Sequence, residues 1–324
     1  MRTVPVVLCI DVEPDERETD PFRPVDWTGF EAAFECMDAL RPRLAQYTGA
    51  PVRISWFLRM DPQIEQTYGS ASWAVERYPD VFAKLERAGD ELGLHVHAWR
   101  WQPERSRWFV DNGDQAWVDH CLHMGFEAYR RAFGRPCRIF RFGDRWMNEA
   151  TLATLAALGV HYDLTIEPGR KPRLSADVDA RPSGGMPDYT DAPRWAYRPS
   201  RDNCLRSSGS RGHVLWEIPL TTRRDTGRWA GFKRAAQAAG IDLQRRHDAD
   251  CLYLEAESDR FAAAFEEAAR AWRRPHVATV VRSEAYADPR RRRCIEQNLG
   301  FMTAGRDAAR LRFLGPKETI EALG

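Results

Sequence analysis

The stretch that decides the fold is ELGLHVHAWRW, residues 91–101, in which apolar and other side chains alternate before two tryptophans. In a β-strand, successive side chains point to opposite faces. The leucines and the valine of the stretch therefore share one face, and the glycine and both histidines, His95 and His97, share the other. The histidines lie about 6 to 7 Å apart at the backbone of a regular strand. The pattern predicts an apolar face packed on helices and two imidazoles at the carboxyl end, where α/β folds build their sites.

A second stretch near the N-terminus, VPVVLCIDVEPDE, has the same alternation. It places Asp11 and Glu13 on one face with Val7 and Cys9. If both strands belong to one parallel sheet, two carboxylates and two imidazoles reach the same edge. Such a set suits metal binding and general acid–base chemistry.

The rest of the chain alternates strands with helices. We expect strands that begin near residues 4, 52, 91, 139, 160, 215 and 276, and helices at about 29–47, 79–88, 114–133, 148–158 and 257–272. This alternation indicates parallel βα units. A closed or nearly closed barrel is preferred to an open sheet because the polar strand ends must converge. We expect one domain over residues 1–324, with a long irregular insertion at about 167–213 that is more typical of functional cover than of a linker.

Composition excludes several classes of partner. The net charge of +1 argues against nucleic acid held by phosphate contacts. The sequence contains no run of about 18 apolar residues, so it predicts no membrane span. The seven cysteines contain no CxxC pair and the chain enters a strand without a signal peptide, so we expect free thiols and a cytoplasmic protein. The oligomeric state is not indicated.

Two further motifs have a functional and a plain interpretation. His120 and His123 are three residues apart on a predicted helix, a spacing that allows a shared metal, but no acidic partner follows the HExxH pattern. The run PRRRR, residues 289–293, could attract an anionic substrate or a membrane surface. A solvated helix face is the favoured interpretation of both.

Four segments in this order, CIDVEPDE, ELGLHVHAW, IFRFGDRWMNEATLATLAALGVHYDLTIEPG and LWEIPLTT, resemble the polysaccharide deacetylase family, which has the NodB homology fold of carbohydrate esterase family 4. The third segment is the most specific, because an arginine-containing strand end leads to a helix and then to a Gly-Val-His-Tyr-Asp-Leu strand. The resemblance implies a divergent member with a distorted (β/α)7-type barrel. It also implies hydrolysis of the N-acetyl, or O-acetyl, group of a sugar or surface-glycan precursor with a divalent metal, zinc first and cobalt or nickel as alternatives.

The same resemblance assigns roles to single residues. Asp11 matches the catalytic base, and Arg141 matches the arginine that keeps this base ionised. The usual metal-binding aspartate is replaced by Val12, so Glu13, which shares the face of Asp11, becomes the candidate ligand.

The remaining ligands depart from the family pattern. His95 matches the first metal-binding histidine, while the position of the second falls on Trp99, which leaves His97 as the nearby substitute. The histidine that usually acts as the acid near the end of the chain has no counterpart, since Arg282, Ser283 and Glu284 stand there.

Four more residues are expected to bind substrate. Trp99 and Trp101 offer indole faces that stack on sugar rings, although each tryptophan taken singly is more often packing. Asp144 and Trp146 lie beside Arg141 in sequence and are expected to shape the pocket.

Two alternatives to the deacetylase stay open. One is a metal-free, catalytically inactive relative that binds carbohydrate, and the other is a different C–N amide hydrolase on the same barrel. The fold alone does not choose among the three.

Overall fold

The computed structural model of the protein describes residues 3–172, 186–223, 249–270, 275–304 and 308–324. In these ranges the strands are β1 Val4–Val12, β2 Ser55–Arg59, β3 Glu91–Val96, β4 Trp99–Gln102, β5 Arg107–Val110, β6 Ile139–Phe142, β7 Tyr162–Asp163, β8 Trp216–Glu217, β9 Thr222–Arg223, β10 Asp250–Cys251, β11 Val277–Arg282 and β12 Leu311–Phe313. The helices are α1 Thr28–Thr48, α2 Pro62–Tyr68, α3 Trp73–Arg77, α4 Pro79–Arg87, α5 Gln115–Phe133, α6 Glu149–Ala157, α7 Ser258–Ala269, α8 Pro289–Ala304 and α9 Pro316–Leu323.

One parallel sheet organises these elements. Its strand order is β11-β1-β2-β3-β6-β7-β8, and β12 also pairs with the beginning of β1. Beyond β8 the backbone N–H of Thr221 donates to the carbonyl of Ala278 in β11 at 2.8 Å, so the two ends of the path approach each other. The sheet is curled into a distorted (β/α)-type barrel, as the sequence predicts, and the carboxyl ends of its parallel strands share one rim.

Two apolar clusters lie on the two sides of the curled sheet. Leu92, Leu94 and Val96 of β3 belong to the larger cluster with residues of the surrounding helices. Val7 and Cys9 of β1 belong to a smaller cluster that fills the barrel interior. The faces predicted from alternation are therefore confirmed, and the interior face of each strand leads to the rim.

The expected helices are confirmed with end shifts of a few residues. Side-chain caps fix two of the starts: Asp114 accepts from Trp117 N at the start of α5, and Asn148 accepts from Thr151 N at the start of α6. The first helix, α1, continues through Pro42 from Thr28 to Thr48.

Several elements differ from the sequence prediction. Of the strand expected from about residue 160, only Tyr162–Asp163 pairs in the main sheet. Of the strand expected from about residue 215, Trp216–Glu217 pairs in the main sheet, and Thr222 pairs with Cys251 in the separate ladder of β9 and β10. The helices α2 and α3, the hairpin β4–β5 and the strand β12 are not predicted by the sequence. They are short, so each offers too few residues for a periodic pattern.

The predicted insertion at 167–213 includes residues 173–185, which lie outside the described residues. Its described parts pack on the barrel, since Tyr189 and Cys204 join the larger cluster. Tyr197 and Glu217 form an antiparallel bridge that ties this segment to β8. No helix in the described part of the chain is long and apolar enough to span a membrane.

Candidate active site and metal centre

The two histidines at the end of β3 converge on one point. The strand ends at Val96, and the backbone N–H of His97 turns to donate to Asp61 Oδ2 at 3.0 Å. The Nε2 atoms of His95 and His97 consequently lie 3.0 Å apart, with the two rings nearly perpendicular. Two residues that a regular strand holds well apart thus present nitrogens to one site.

Hydrogen bonds to the other ring nitrogens fix the tautomers. Nδ1 of His95 lies 2.9 Å from the carbonyl oxygen of Arg141, and Nδ1 of His97 lies 2.9 Å from Asp144 Oδ2. A carbonyl and a carboxylate oxygen accept hydrogen bonds, so each Nδ1 carries a hydrogen, and the Nε2 of each ring presents a lone pair when that ring is neutral. Burial, followed by the charge of Arg59, lowers the pKa of His97 well below its usual value. Two lone pairs at this distance repel unless a cation, either a metal ion or a shared proton, lies between them.

Glu13 completes the cluster from the end of β1. Its Oε1 lies 3.5 Å from His95 Nε2 and its Oε2 lies 3.6 Å from His97 Nε2. Two guanidiniums hold the same carboxylate: Arg59 Nη1 donates to Oε2 at 3.1 Å and Arg282 Nε donates to Oε1 at 3.0 Å. Burial by itself would raise the pKa of Glu13, but Arg282 and the two histidines hold it well below its usual range.

This donor set fits a divalent metal. One carboxylate oxygen and two imidazole nitrogens lie within 4.8 Å of one another. Catalytic zinc sites use two histidines and one carboxylate and leave a fourth position open. Contacts from Nδ1 to a carbonyl and to a carboxylate are the supporting hydrogen bonds that metal-binding histidines usually make. The two guanidiniums on Glu13 oppose the binding of a cation here.

Asp11 lies beside this cluster and is held by Arg141. The Nε of Arg141 donates to both oxygens of Asp11 at 3.1 Å, and its Nη1 donates to the carbonyl of Leu164 at 2.8 Å. The register of β3 and β6 sets Arg141 opposite His95, which is why its carbonyl reaches the ring of that histidine. One residue therefore orients both the predicted base and a predicted ligand.

These groups line a cavity of about 360 Å³ at the rim of the barrel. Six of the predicted site residues contribute to its lining, namely Asp11, Glu13, His95, His97, Arg141 and Asp144. The structure brings them together from strand ends that are up to 133 positions apart, from 11 to 144.

A second charged cluster on the cavity wall is centred on Glu167. This buried carboxylate lies 3.2 Å from Arg145 Nη1, 3.3 Å from Arg170 Nε and 3.9 Å from Arg141 Nη2. The hydroxyl of Tyr253 donates toward it at 3.3 Å. Sequence reasoning missed this cluster, although Glu167 follows the β7 strand end, a position that signals a site in parallel sheets.

Asp144 has a role that the sequence did not indicate. It accepts hydrogen bonds from His97 Nδ1 and, at 2.7 Å, from Trp99 Nε1, and it pairs with Arg17. Its backbone is left-handed, with φ at 52°. A Cβ on the preceding residue, Gly143, would collide with the imidazole of His97. The Gly-Asp pair thus makes room for the second histidine and orients it.

The three tryptophans predicted to bind sugar do not line the cavity. Trp99 is buried, and the guanidiniums of Arg17 and Arg59 lie 5.1 and 5.5 Å from its ring centroid. Trp101 lies in the β4–β5 hairpin, and Trp146 is half-buried with its Nε1 3.3 Å from Thr151 Oγ1. Their role in substrate binding stays a prediction.

The two motifs with a plain interpretation are both on helix surfaces. His120 and His123 are exposed on α5, and His120 stacks on Trp117. The arginine run opens α8, and one of its members, Arg291, lines the cavity. Sequence reasoning also missed Arg59, the last residue of β2, which lies at the rim.

By sequence, no protein-family model and no curated protein matches this chain. Solved structures do match its fold. A candidate polysaccharide deacetylase of Mycobacterium smegmatis is similar over 99% of this chain and 90% of its own, at 14% identity and a TM-score of 0.50. The chain has the polysaccharide deacetylase fold. A candidate glycoside hydrolase or deacetylase of Parabacteroides distasonis is similar over 99% of this chain and 70% of its own, at 14% identity and a TM-score of 0.57. At these identities the likeness concerns the fold, which confirms the resemblance to polysaccharide deacetylases at that level.

Proposed function

We propose that the protein is a metal-dependent deacetylase that hydrolyses the N-acetyl, or O-acetyl, group of a sugar or glycan. The observation that carries this proposal is the convergence of both imidazole Nε2 atoms and Glu13, with each Nδ1 already bound to an acceptor. Asp11, a carboxylate able to take a proton, lines the same cavity. These are the parts that hydrolysis of an acyl group at a metal site requires.

Each residue of the site has a separate role in the proposed reaction. When bound, a divalent ion polarises the acyl carbonyl and makes the attacking water more acidic. Asp11 accepts the proton of that water, and the Nε of Arg141 keeps its carboxylate oriented toward the cavity. Asp144 and the carbonyl of Arg141 hold the two imidazole rings in the tautomers that leave Nε2 bare. Zinc fits this donor set best, with cobalt and nickel as alternatives.

One observation favours a second candidate, a metal-free protein that binds carbohydrate. Arg59 and Arg282 both donate to Glu13, and two positive charges next to a ligand weaken the binding of a cation. In that case a proton shared by the two Nε2 atoms would relieve the repulsion of their lone pairs.

Acetate release separates the two candidates. Purified protein is stripped with a chelator and incubated with N-acetylated and O-acetylated sugars, with and without Zn²⁺, Co²⁺ or Ni²⁺. The deacetylase predicts release that depends on added metal, and the metal content of the same samples should follow the activity. Sugar binding without metal and without acetate release would favour the second candidate.

We also propose a reducing, cytoplasmic setting. All seven cysteines are free thiols, and six of them are buried. Oxidising compartments favour disulfides in their resident proteins, so this pattern supports the proposal. Mass spectrometry of alkylated protein from cell lysate would test it, since seven free thiols are expected.

A further inference from the structure

The cavity is lined by six arginines, and three of them are much more exposed than the others. The side chains of Arg17, Arg291 and Arg282 are 45%, 35% and 29% exposed, while those of Arg141, Arg145 and Arg170 are 15% or less. We name Arg17, Arg282 and Arg291 the arginine rim. These three guanidiniums are therefore more accessible to a ligand that enters the cavity than the three buried ones are.

The members of the arginine rim are close together. Glu284 links two of them, with Oε2 at 3.4 Å from Arg282 Nε and Oε1 at 3.3 Å from Arg291 Nη1. Burial, and then the charge of Arg282, lowers the pKa of Arg17, because a like charge nearby disfavours the charged form.

The net charge of the cavity lining also bears on the kind of ligand that the cavity binds. Its described residues include six arginines and six acidic residues, so the protein part is close to neutral. A divalent ion on the histidine cluster would add two positive charges to this lining and so favour an anion in the cavity.

The aromatic content of the lining points away from a neutral sugar. Tyr253 is its one aromatic residue other than histidine among those described, and its hydroxyl is directed to Glu167. Neutral sugars are commonly held by stacking on flat aromatic rings, and the two tryptophans predicted for that task, Trp99 and Trp101, do not line the cavity. Guanidiniums are instead suited to planar, two-point recognition of carboxylate and phosphate groups.

We propose that the substrate is an acetylated sugar that carries a carboxylate or a phosphate, and that the arginine rim binds this anionic group. This inference rests on the proposed deacetylase function and specifies its substrate class. The proposal also assigns a function to one residue of the PRRRR run. Arg291 lines the cavity, while Arg292 pairs with Glu296 on the helix surface.

Binding to metal-stripped protein tests the charge preference without catalysis. The probes are N-acetylglucosamine, N-acetylmuramic acid, which adds a carboxylate, and N-acetylglucosamine 6-phosphate, measured by calorimetry. We expect at least one charged probe to bind about 10- to 100-fold more tightly than the neutral one, the gain of one or two charge-assisted hydrogen bonds. The carboxylate and phosphate arms identify which anion is preferred, and added salt should reduce the preference.

Variants locate the anion. Arg17→Gln and Arg291→Gln should each reduce the preference by about tenfold, while Arg292→Gln, the matched change in the same arginine run, should leave it unaltered. The inference is overturned if the neutral probe binds as tightly as both charged probes, if none of the three binds, if both rim variants keep the preference, or if Arg292→Gln loses it equally.

Acetate release from the same probes separates this inference from the proposed function. Hydrolysis of the neutral probe as fast as the charged ones would support the deacetylase function and contradict the preference for an anionic substrate. Preferential binding of a charged probe, without hydrolysis under any metal, would support anion binding by the arginine rim and contradict the deacetylase function.

Discussion

The wall of the cavity formed by the ends of β1 and β3 presents electron pairs, whereas the wall formed by β6 and the segment after β7 presents N–H groups. On the first, which we call the ligand wall, Glu13, His95 and His97 direct lone pairs to one point. On the second, the guanidinium wall, Arg141 and its neighbours surround Asp11 and Glu167. In the proposed deacetylase, the ligand wall would hold a cation and the guanidinium wall would stabilise negative charge, which is the separation that acyl hydrolysis needs.

Arg141 connects the two walls. Its side chain orients Asp11 while its backbone carbonyl fixes the ring of His95. Substitutions of the side chain should therefore affect the base and spare the metal, because the carbonyl belongs to every residue type. The predictions below use this separation.

The largest effect is expected from Asp11→Asn. The change keeps the size of the side chain and removes the proton acceptor, so kcat for acetate release should fall by about 10² to 10⁴. The metal content of the same preparation should stay at the wild-type level, because Asp11 is held by Arg141 and is not one of the three candidate ligands. Activity within a few-fold of wild type would remove Asp11 from the mechanism.

Gly143→Ala should damage the ligand wall without altering any charge. The added methyl group would meet the imidazole of His97, so we expect metal affinity to fall by about 100-fold, at the upper end of the range for lost support of a ligand. Gly300→Ala is the matched control, since nothing lies near that position. An unchanged metal affinity in Gly143→Ala would argue that His97 is not a ligand.

Asp144→Asn tests the orientation of His97 by its hydrogen bond. Asparagine tolerates the left-handed backbone at this position. The change replaces the carboxylate that accepts the hydrogen bond from His97 Nδ1 by an uncharged amide. We expect a 10-fold or larger loss of metal affinity, with about 100-fold as the upper limit. Titration with Zn²⁺ against a competing chelator measures this, and wild-type affinity would show that the carboxylate is dispensable.

The smallest effect is expected from Arg141→Lys. An ammonium keeps the charge but does not reproduce the planar contact with both oxygens of Asp11, so kcat should fall by about tenfold. Metal affinity should not change. A loss of metal in this variant would contradict the division between the two walls.

The barrel and much of the ligand wall follow from alternation in the sequence. A period of two places Asp11, Glu13 and His95 on interior faces, and parallel strands bring their ends to one rim. The pairing of His97 with Asp144 could not be predicted, because it depends on a turn after Val96 and on a left-handed backbone 47 positions away.

The guanidinium contacts show a different limit. Arg59 and Arg282 follow the interior faces of β2 and β11 to the rim, so their position has a signal in the sequence. The hydrogen bonds of Arg59 and Arg282 to Glu13 have no such signal, because they depend on strand register and on the lengths of the two side chains. The same holds for most partners of Glu167, since Arg141, Arg145 and Tyr253 reach it from distant parts of the chain and only Arg170 is a neighbour in sequence.

The most direct test of the central claim is a zinc titration of metal-stripped wild-type protein, followed by calorimetry and by acetate release. Our account predicts that one Zn²⁺ binds per chain and restores release, and that His95→Ala binds none, while His120→Ala, which removes an exposed histidine of α5, behaves as wild type. Wild-type protein that takes up no zinc at near-millimolar concentration, yet still binds an oligosaccharide, would contradict it.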